Sequence, residues 1–232
     1  MGRKKLIRFA ENKDEPLMLQ AEKPLYHQIK GKWNELFFQE SKPLVVELAC
    51  GRGEYSVGLA EKYKEKNFIG VDIKGDRMWK GCQAARDKGL TNVGFLRTMI
   101  QNIEQFFAPE ELSEIWITFP DPRPKKNDAR RRLTHPRFQE MYRKLVSTQN
   151  LIHLKTDNLG LFEYTLEVLQ QQPIQNLRYT YDLSQSEMLH WHEGIQTRYE
   201  KIFSAKGFKI NYLQYSFQKD SSDSFPAPLL SE

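Results

Sequence analysis

The chain predicts an α/β fold, a mostly parallel seven-stranded sheet flanked by helices, on three observations. From Pro43 onward, short apolar runs alternate with segments of helical periodicity, the pattern of strands joined by crossover helices. The first run ends in ELACGRG, where Gly51 and Gly53 let the backbone turn sharply out of a strand and into a helix. The second run ends in Asp72, about 20 residues further on, the spacing at which a carboxylate meets a ribose in such sheets.

Taken in order, residues 1–24 carry Arg3, Lys4, Lys5, Arg8 and Lys13 against few acids and read as a mobile basic arm. Residues 25–219 read as the folded domain and 220–232 as a disordered tail. Residues 26–38 have helical spacing, with Ile29, Trp33, Leu36 and Phe37 able to share one face. Strands are expected at 44–49, 68–72, 92–97 and 114–119. Between them, Tyr55, Leu59 and Tyr63 recur at helical spacing, as do Met78, Cys82 and Ala85. Phe138, Met141, Tyr142, Leu145 and Val146 form the next helical stripe, opened by Thr134, His135 and Pro136 in helix-starting positions. A fifth strand at 151–155 leads to a helix bearing Leu159, Phe162, Leu166 and Leu169. Strands at 177–182 and 208–217 enclose a short helix that begins near Thr197.

With 232 residues, 39% hydrophobic and 28% charged, the chain is long enough for one sizeable core. Lys and Arg number 35 against 30 acids, so basic character acts through clustering more than through total charge. Cys50 and Cys82 form no CxxC pair and the histidines no metal-binding spacing, so neither a metal site nor a histidine base is expected. No apolar run approaches the ~20 residues of a membrane span, which predicts a soluble, cytoplasmic protein.

The densest chemistry lies in FPDPRPKKNDARRRLTHPRF, residues 119–138. Pro120, Pro122 and Pro124 forbid helix and further sheet pairing, so Asp121 is held on a stiff turn at the C-terminal edge of a strand, where α/β sheets bind ligands. Arg123, Lys125, Lys126, Arg130, Arg131 and Arg132 follow, offset only by Asp128, and arginine forks suit phosphate. On the donor side, a dinucleotide fingerprint would need a third glycine where the chain has Ser56, and Glu47 would repel a pyrophosphate. A donor with a cationic ammonium and sulfonium tolerates Glu47, which favours S-adenosylmethionine. Elsewhere the readings stay open. Asp157 could be a helix N-cap, and Thr197 to Glu200 has the T-x-x-E spacing of a capping box as well as a position for substrate contact.

ELACGRGEY, FIGVDIK, the 119–138 block, HLKTDN and TRYEKIF, in this order and spacing, resemble the bacterial tRNA (guanine-N(7)-)-methyltransferases. The resemblance implies a Rossmann-like class I methyltransferase fold and transfer of a methyl from S-adenosylmethionine to N7 of a guanosine in the tRNA variable loop. It implies tRNA as partner; with no membrane span and no metal expected from the sequence, monomer and homodimer both stay open. Carried over by position, Asp121 is the catalytic residue. Glu47, Gly51, Gly53, Asp72, Met99 and Asp121 fall on donor-binding positions, and Lys125, Asp157, Thr197, Arg198, Tyr199 and Glu200 on substrate-binding ones. The chain departs from the family at Arg123, where Trp is frequent and where the guanidinium could stack on a base, and at Met99, where Asp or Asn is usual.

Overall fold

The computed structural model describes residues 3–218; the tail expected at 220–232 lies outside them. Among the described residues, eight strands form one sheet, ordered β1-β4-β3-β2-β5-β6-β8-β7. They are β1 (Met18–Leu19), β2 (Leu44–Leu48), β3 (Asn67–Asp72), β4 (Val93–Arg97), β5 (Leu112–Thr118), β6 (Val146–Thr156), β7 (Ile174–Thr180) and β8 (Asn211–Phe217). All pairings from β1 across to β6 are parallel, and β8 runs antiparallel between β6 and β7. The helices are α1 (Arg3–Asp14), α2 (Glu54–Lys62), α3 (Gly75–Asp87), α4 (Pro136–Leu145), α5 (Leu159–Gln170) and α6 (Arg198–Ser204).

Parallel strands covered on both faces are apolar on both, and β2 reads LVVEL with every residue buried. The pleat divides them between two cores. Val45, Phe68 and Trp116 pack with Tyr55, Met78 and Cys82 of α2 and α3. Leu44, Val46, Ile69, Ile115 and Ile117 pack with Phe138 and Tyr142 of α4 and Phe162 of α5. Most of the α4 stripe follows its periodicity: Phe138, Tyr142 and Leu145 are buried, Met141 is half-buried, and Val146, expected on the same face, instead opens β6; His135 caps the helix by accepting from the Arg137 amide at 3.2 Å.

The largest differences from the sequence expectation lie in the N-terminal quarter. Residues 26–38 are two short pieces, a 3-10 turn at Pro24–His27 and a π turn at Trp33–Phe38, separated at Gly31, whose φ of +73° lies in the left-handed region and breaks a continuous helix. Ile29 and Trp33 are nonetheless fully buried, so the expected apolar face survives the break. Where a mobile arm is expected, residues 3–19 form α1 and β1. Met18 and Leu19 pair with Phe95 and Leu96 and add an eighth strand to the sheet edge. Asn12, fully buried, donates to the Gly75 carbonyl at 2.9 Å, and buried Glu15 pairs with Arg86, so polar contacts to α3 fix this helix where an apolar stripe would otherwise be needed.

The sheet order reverses between β2 and β5. The chain leaves β2 toward β3 on one side and leaves β5 toward β6 on the other, so their two C-terminal loops part and open a crevice.

Candidate active site

The loop after β2 forms one wall. Ala49, Gly51 and Gly53 have φ values of +60°, +57° and +67°, a tight curl in which the non-glycine Ala49 carries a strain of about 1–2 kcal/mol. The Gly51 amide donates to Asp72 Oδ2 at 3.0 Å and the Lys74 amide to Oδ1 at 2.9 Å, which fixes the carboxylate at the end of β3 and leaves a lone pair free on each oxygen. The two glycines act differently. A Cβ at Gly51 would meet nothing nearer than the Ala49 carbonyl at 3.9 Å, so this face is open to a ligand. A Cβ at Gly53 would lie 2.3 Å from Phe95 Cε1, so Gly53 serves the packing of the loop on β4 and α3.

Glu47 lies behind this wall, 3% exposed. The Ser56 amide donates to its Oε2 at 2.9 Å, the Ser56 hydroxyl binds the same oxygen, and the Thr118 hydroxyl binds Oε1. Burial pushes its carboxyl up to about 7 against these hydrogen bonds. It ties β2 to the first turn of α2 and to the end of β5.

The other wall begins where β5 ends. Phe119 and Arg123 both have positive φ, +48° and +47°, so the proline-rich turn is strained at two non-glycine positions. Asp121 is exposed, accepts from the Arg123 amide at 3.2 Å and pairs with Arg123 Nε at 3.1 Å. The guanidinium expected to be free for base stacking therefore lies on Asp121. Asp72, Met99, Asp121 and Arg123 line one cavity of about 280 Å³, beside Ile73 and Leu133. Ile73 and Met99 are about half exposed there, at 51% and 53%. Two uncovered apolar side chains next to an acceptor carboxylate form a cradle suited to a flat apolar ring carrying a ribose, so these residues fit the nucleoside half of S-adenosylmethionine.

A second cavity of about 440 Å³ adjoins the first at Ala49 and is lined by Gly51, Arg52, Thr118, Phe119, Thr197 and Tyr199. Tyr199 donates to Asp157 Oδ2 at 3.1 Å, and its ring lies 5.2 Å from Phe119 and stacks on Phe203. Burial and then the Asp157 charge raise the phenol to about 12. The helix cap that Asp157 could have provided is made instead by Asn158, which accepts from the Leu161 amide at 2.8 Å. Thr197 caps α6 by accepting from the Glu200 amide at 3.1 Å, but Glu200 completes no capping box. Its Oε1 lies 2.8 Å from Lys155 Nζ, both side chains almost fully buried, and burial lowers the Lys155 amine despite this partner.

The structure thus gathers Asp72, Met99 and Asp121 in one cavity and Gly51, Thr197, Arg198 and Tyr199 in the next, with Asp157 joined through Tyr199. Glu47, Gly53 and Glu200 are buried behind the walls, and Lys125 is exposed and lines neither cavity. Sequence reasoning missed Arg52, Thr118 and Lys155. A lysine inside the apolar run LIHLK was the available signal for Lys155.

A crevice at the reversal of a parallel sheet, a glycine curl tied to a strand-end carboxylate and an apolar cradle define a class I methyltransferase. The family model described as "Putative methyltransferase" matches residues 41–213. Structures of low identity share the fold: the 16S rRNA methyltransferase KamB has a TM-score of 0.59 at 12% identity, covering 86% of this chain and 96% of that one. An antibiotic-related methyltransferase has a TM-score of 0.56 at 14% identity, covering 78% and 90%. Among curated relatives, the tRNA (guanine-N(7)-)-methyltransferase of Cytophaga hutchinsonii is 48% identical, covering 94% of this chain and 99% of the relative. Proteins of that name from Bacteroides fragilis and Brevibacillus brevis are 42% and 34% identical, covering 93% and 84% of this chain and 86% and 89% of theirs. The chain belongs to the tRNA (guanine-N(7)-)-methyltransferase family.

Proposed function

We propose that this protein methylates N7 of a guanosine in the variable loop of tRNA. S-adenosylmethionine, when bound, supplies the methyl group. The observation that carries the reading is the position of Asp121, an exposed carboxylate on a strained proline turn that lines the same cavity as Asp72. Guanine N7 has an in-plane lone pair and no proton, so the site needs no general base, and the histidines take no part. The walls have two tasks, alignment and charge. Correct approach of nucleophile and methyl is worth of the order of 7–11 kcal/mol in the ideal case. Methylation makes the imidazole ring cationic, and Asp121, with Asp157 oriented by Tyr199, opposes that developing charge. Asp72 holds the ribose and Met99 a face of the adenine. Gly51 gives the donor close access to the backbone, while Glu47 and Gly53 support the loop from behind. Thr197, Arg198 and Tyr199 face the guanosine, Glu200 anchors their helix through Lys155, and Lys125 meets tRNA phosphate at the rim.

Transfer of radiolabelled methyl from S-adenosylmethionine to unmodified bulk tRNA, followed by nucleoside analysis, tests this. The expected label is in 7-methylguanosine. Label in another nucleoside overturns the target atom, and no label overturns the activity.

A further inference from the structure

A third cavity, an open groove of about 680 Å³, runs between α2, α3 and the segment leading into α6, and it shares Arg52, Glu54 and Arg198 with the cavity that holds Thr118 and Tyr199. Three carboxylates line it against six cations, Arg52, Lys62, Lys80, Lys88, Arg198 and Lys201, so cations are in excess. Glu61 pairs with Lys88 at 2.6 Å, Glu54 accepts the Arg198 amide at 2.8 Å, and Glu193 accepts from the Tyr63 hydroxyl at 3.4 Å. Arg52, Lys80 and Arg198 line the groove and make no ion pair among the described residues. These three come from separate parts of the fold: the glycine loop, α3 and the start of α6. Arg8 of α1 adds its field from outside. Together they hold the Lys80 amine below its ordinary value, Arg52 first, then burial, then Arg8 and Arg198, with Glu54 opposing them weakly.

Like charges brought together from four elements destabilise the fold unless something anionic sits among them. We infer that this groove binds the sugar-phosphate backbone of the tRNA on the side of the crevice opposite the 123–132 loop, with Arg52 and Lys80 as phosphate contacts. The inference rests on the tRNA reading above and extends it. The cations of 123–132 border the Asp72 cavity through Arg123 and Arg131, and Arg52 and Arg198 border the Tyr199 cavity. A strand delivering one nucleotide into the crevice therefore meets positive charge on both sides of it, so that two separated phosphate contacts fix its register while the base is free to enter. Phosphate contacts of this kind fix position and carry no sequence information, so this bank serves any tRNA that presents the target loop.

The test is binding of unmodified tRNA over a range of salt concentrations, with methyl-transfer kinetics, for the wild type, Lys80→Ala and the Arg52→Ala/Lys80→Ala double variant. Each phosphate contact removed should lower the slope of log affinity against log salt by about one, so by about two in the double variant. The KM for tRNA should rise several-fold in Lys80→Ala with kcat held, and its affinity for S-adenosylhomocysteine and its melting temperature should stay at wild-type values. Wild-type slope and KM in Lys80→Ala and in the double variant, with tRNA still bound and methylated, overturn the groove and leave the functional reading standing. A wild-type protein that neither binds nor methylates tRNA overturns both.

Discussion

At the scale of single residues, the site separates side chains that face the crevice from side chains that hold its walls. Asp121 is of the first kind: exposed, in polar contact with Arg123 alone among the described residues, and outside both cores. Asp121→Ala should lower the rate of methyl transfer by about 10²–10³-fold, the usual cost of removing one group that stabilises transition-state charge, and should leave the unfolding free energy in urea within about 0.5 kcal/mol of wild type. Single-turnover kinetics and a denaturation curve on the same preparation check both halves. Gly51 and Gly53 fall on opposite sides of the division although the sequence presents them as one motif. Both are strained by any L side chain, at about 1–2 kcal/mol, but only Gly53→Ala also drives a Cβ into the Phe95 ring. Gly53→Ala should therefore lose roughly 2–4 kcal/mol of stability. Gly51→Ala should lose about half as much while weakening S-adenosylhomocysteine binding more, and the pair is resolved by measuring stability and calorimetric affinity together.

Among the elements, those with a clean apolar period could be read from the sequence, and those held by polar contacts could not. The strands from β2 to β5 and helices α2 to α5 follow their periodicities closely because burial on both faces of a parallel sheet leaves no other solution. The N-terminal helix is different. RKKLIRFAENKD has no apolar stripe, and Leu6 and Ile7 are about half exposed. Its attachment comes from Asn12 on Gly75, Arg8 over the Trp79 ring at 5.0 Å and Arg97 over the Phe9 ring at 4.9 Å, pairings that no pattern within the segment announces. The first half of β6 was missed likewise, because residues 147–150 are only half-buried or exposed and carry no alternation. In the candidate site, strand-end positions such as Asp72 and Asp121 were legible because punctuation by Gly and Pro marks them, whereas the partner of Glu200 lies in a distant strand, β6, and needed the fold. That partnership gives an element-scale prediction. Lys155 and Glu200 are buried at 1% and 3% and join β6 to α6. Lys155→Met alone should destabilise by about 3–5 kcal/mol because it strands a buried carboxylate, while Lys155→Met/Glu200→Leu should recover most of that loss. Urea unfolding of the four proteins in the double-mutant cycle measures the coupling, and additive losses would show that the pair does not link the two elements.

For the molecule as a whole, the buried titratable groups set opposing pH dependences. Burial lowers His153 from 6.5 to about 4, with the nearby Glu114 acting against it. Between those values the unfolded chain takes up a proton that the folded chain refuses, so this histidine removes stability as pH falls from about 6.5 to about 4. Glu47 acts in the other direction. Its carboxyl is raised from 4.5 to about 7, so the unfolded chain releases a proton that the folded chain keeps, and stability is lost as pH rises through that window. Each shift corresponds to roughly 3 kcal/mol, and over the shared range the two slopes offset each other. Single substitutions should expose them. The stability gap between wild type and Glu47→Gln should move against the wild type by about 3 kcal/mol from pH 4.5 to 7, and the gap to His153→Gln should move against it by a similar amount from pH 6.5 to 4. Urea midpoints at pH 7.5, 6 and 4.5 distinguish tilted curves from parallel ones, and parallel curves would mean that neither group changes its proton affinity on folding. The same ionisation of Glu47 reaches the site. Below about pH 7 the carboxyl becomes neutral, the negative charge behind the glycine curl is lost, and a donor carrying a cationic ammonium should bind more weakly as pH falls, an effect that Glu47→Gln should abolish.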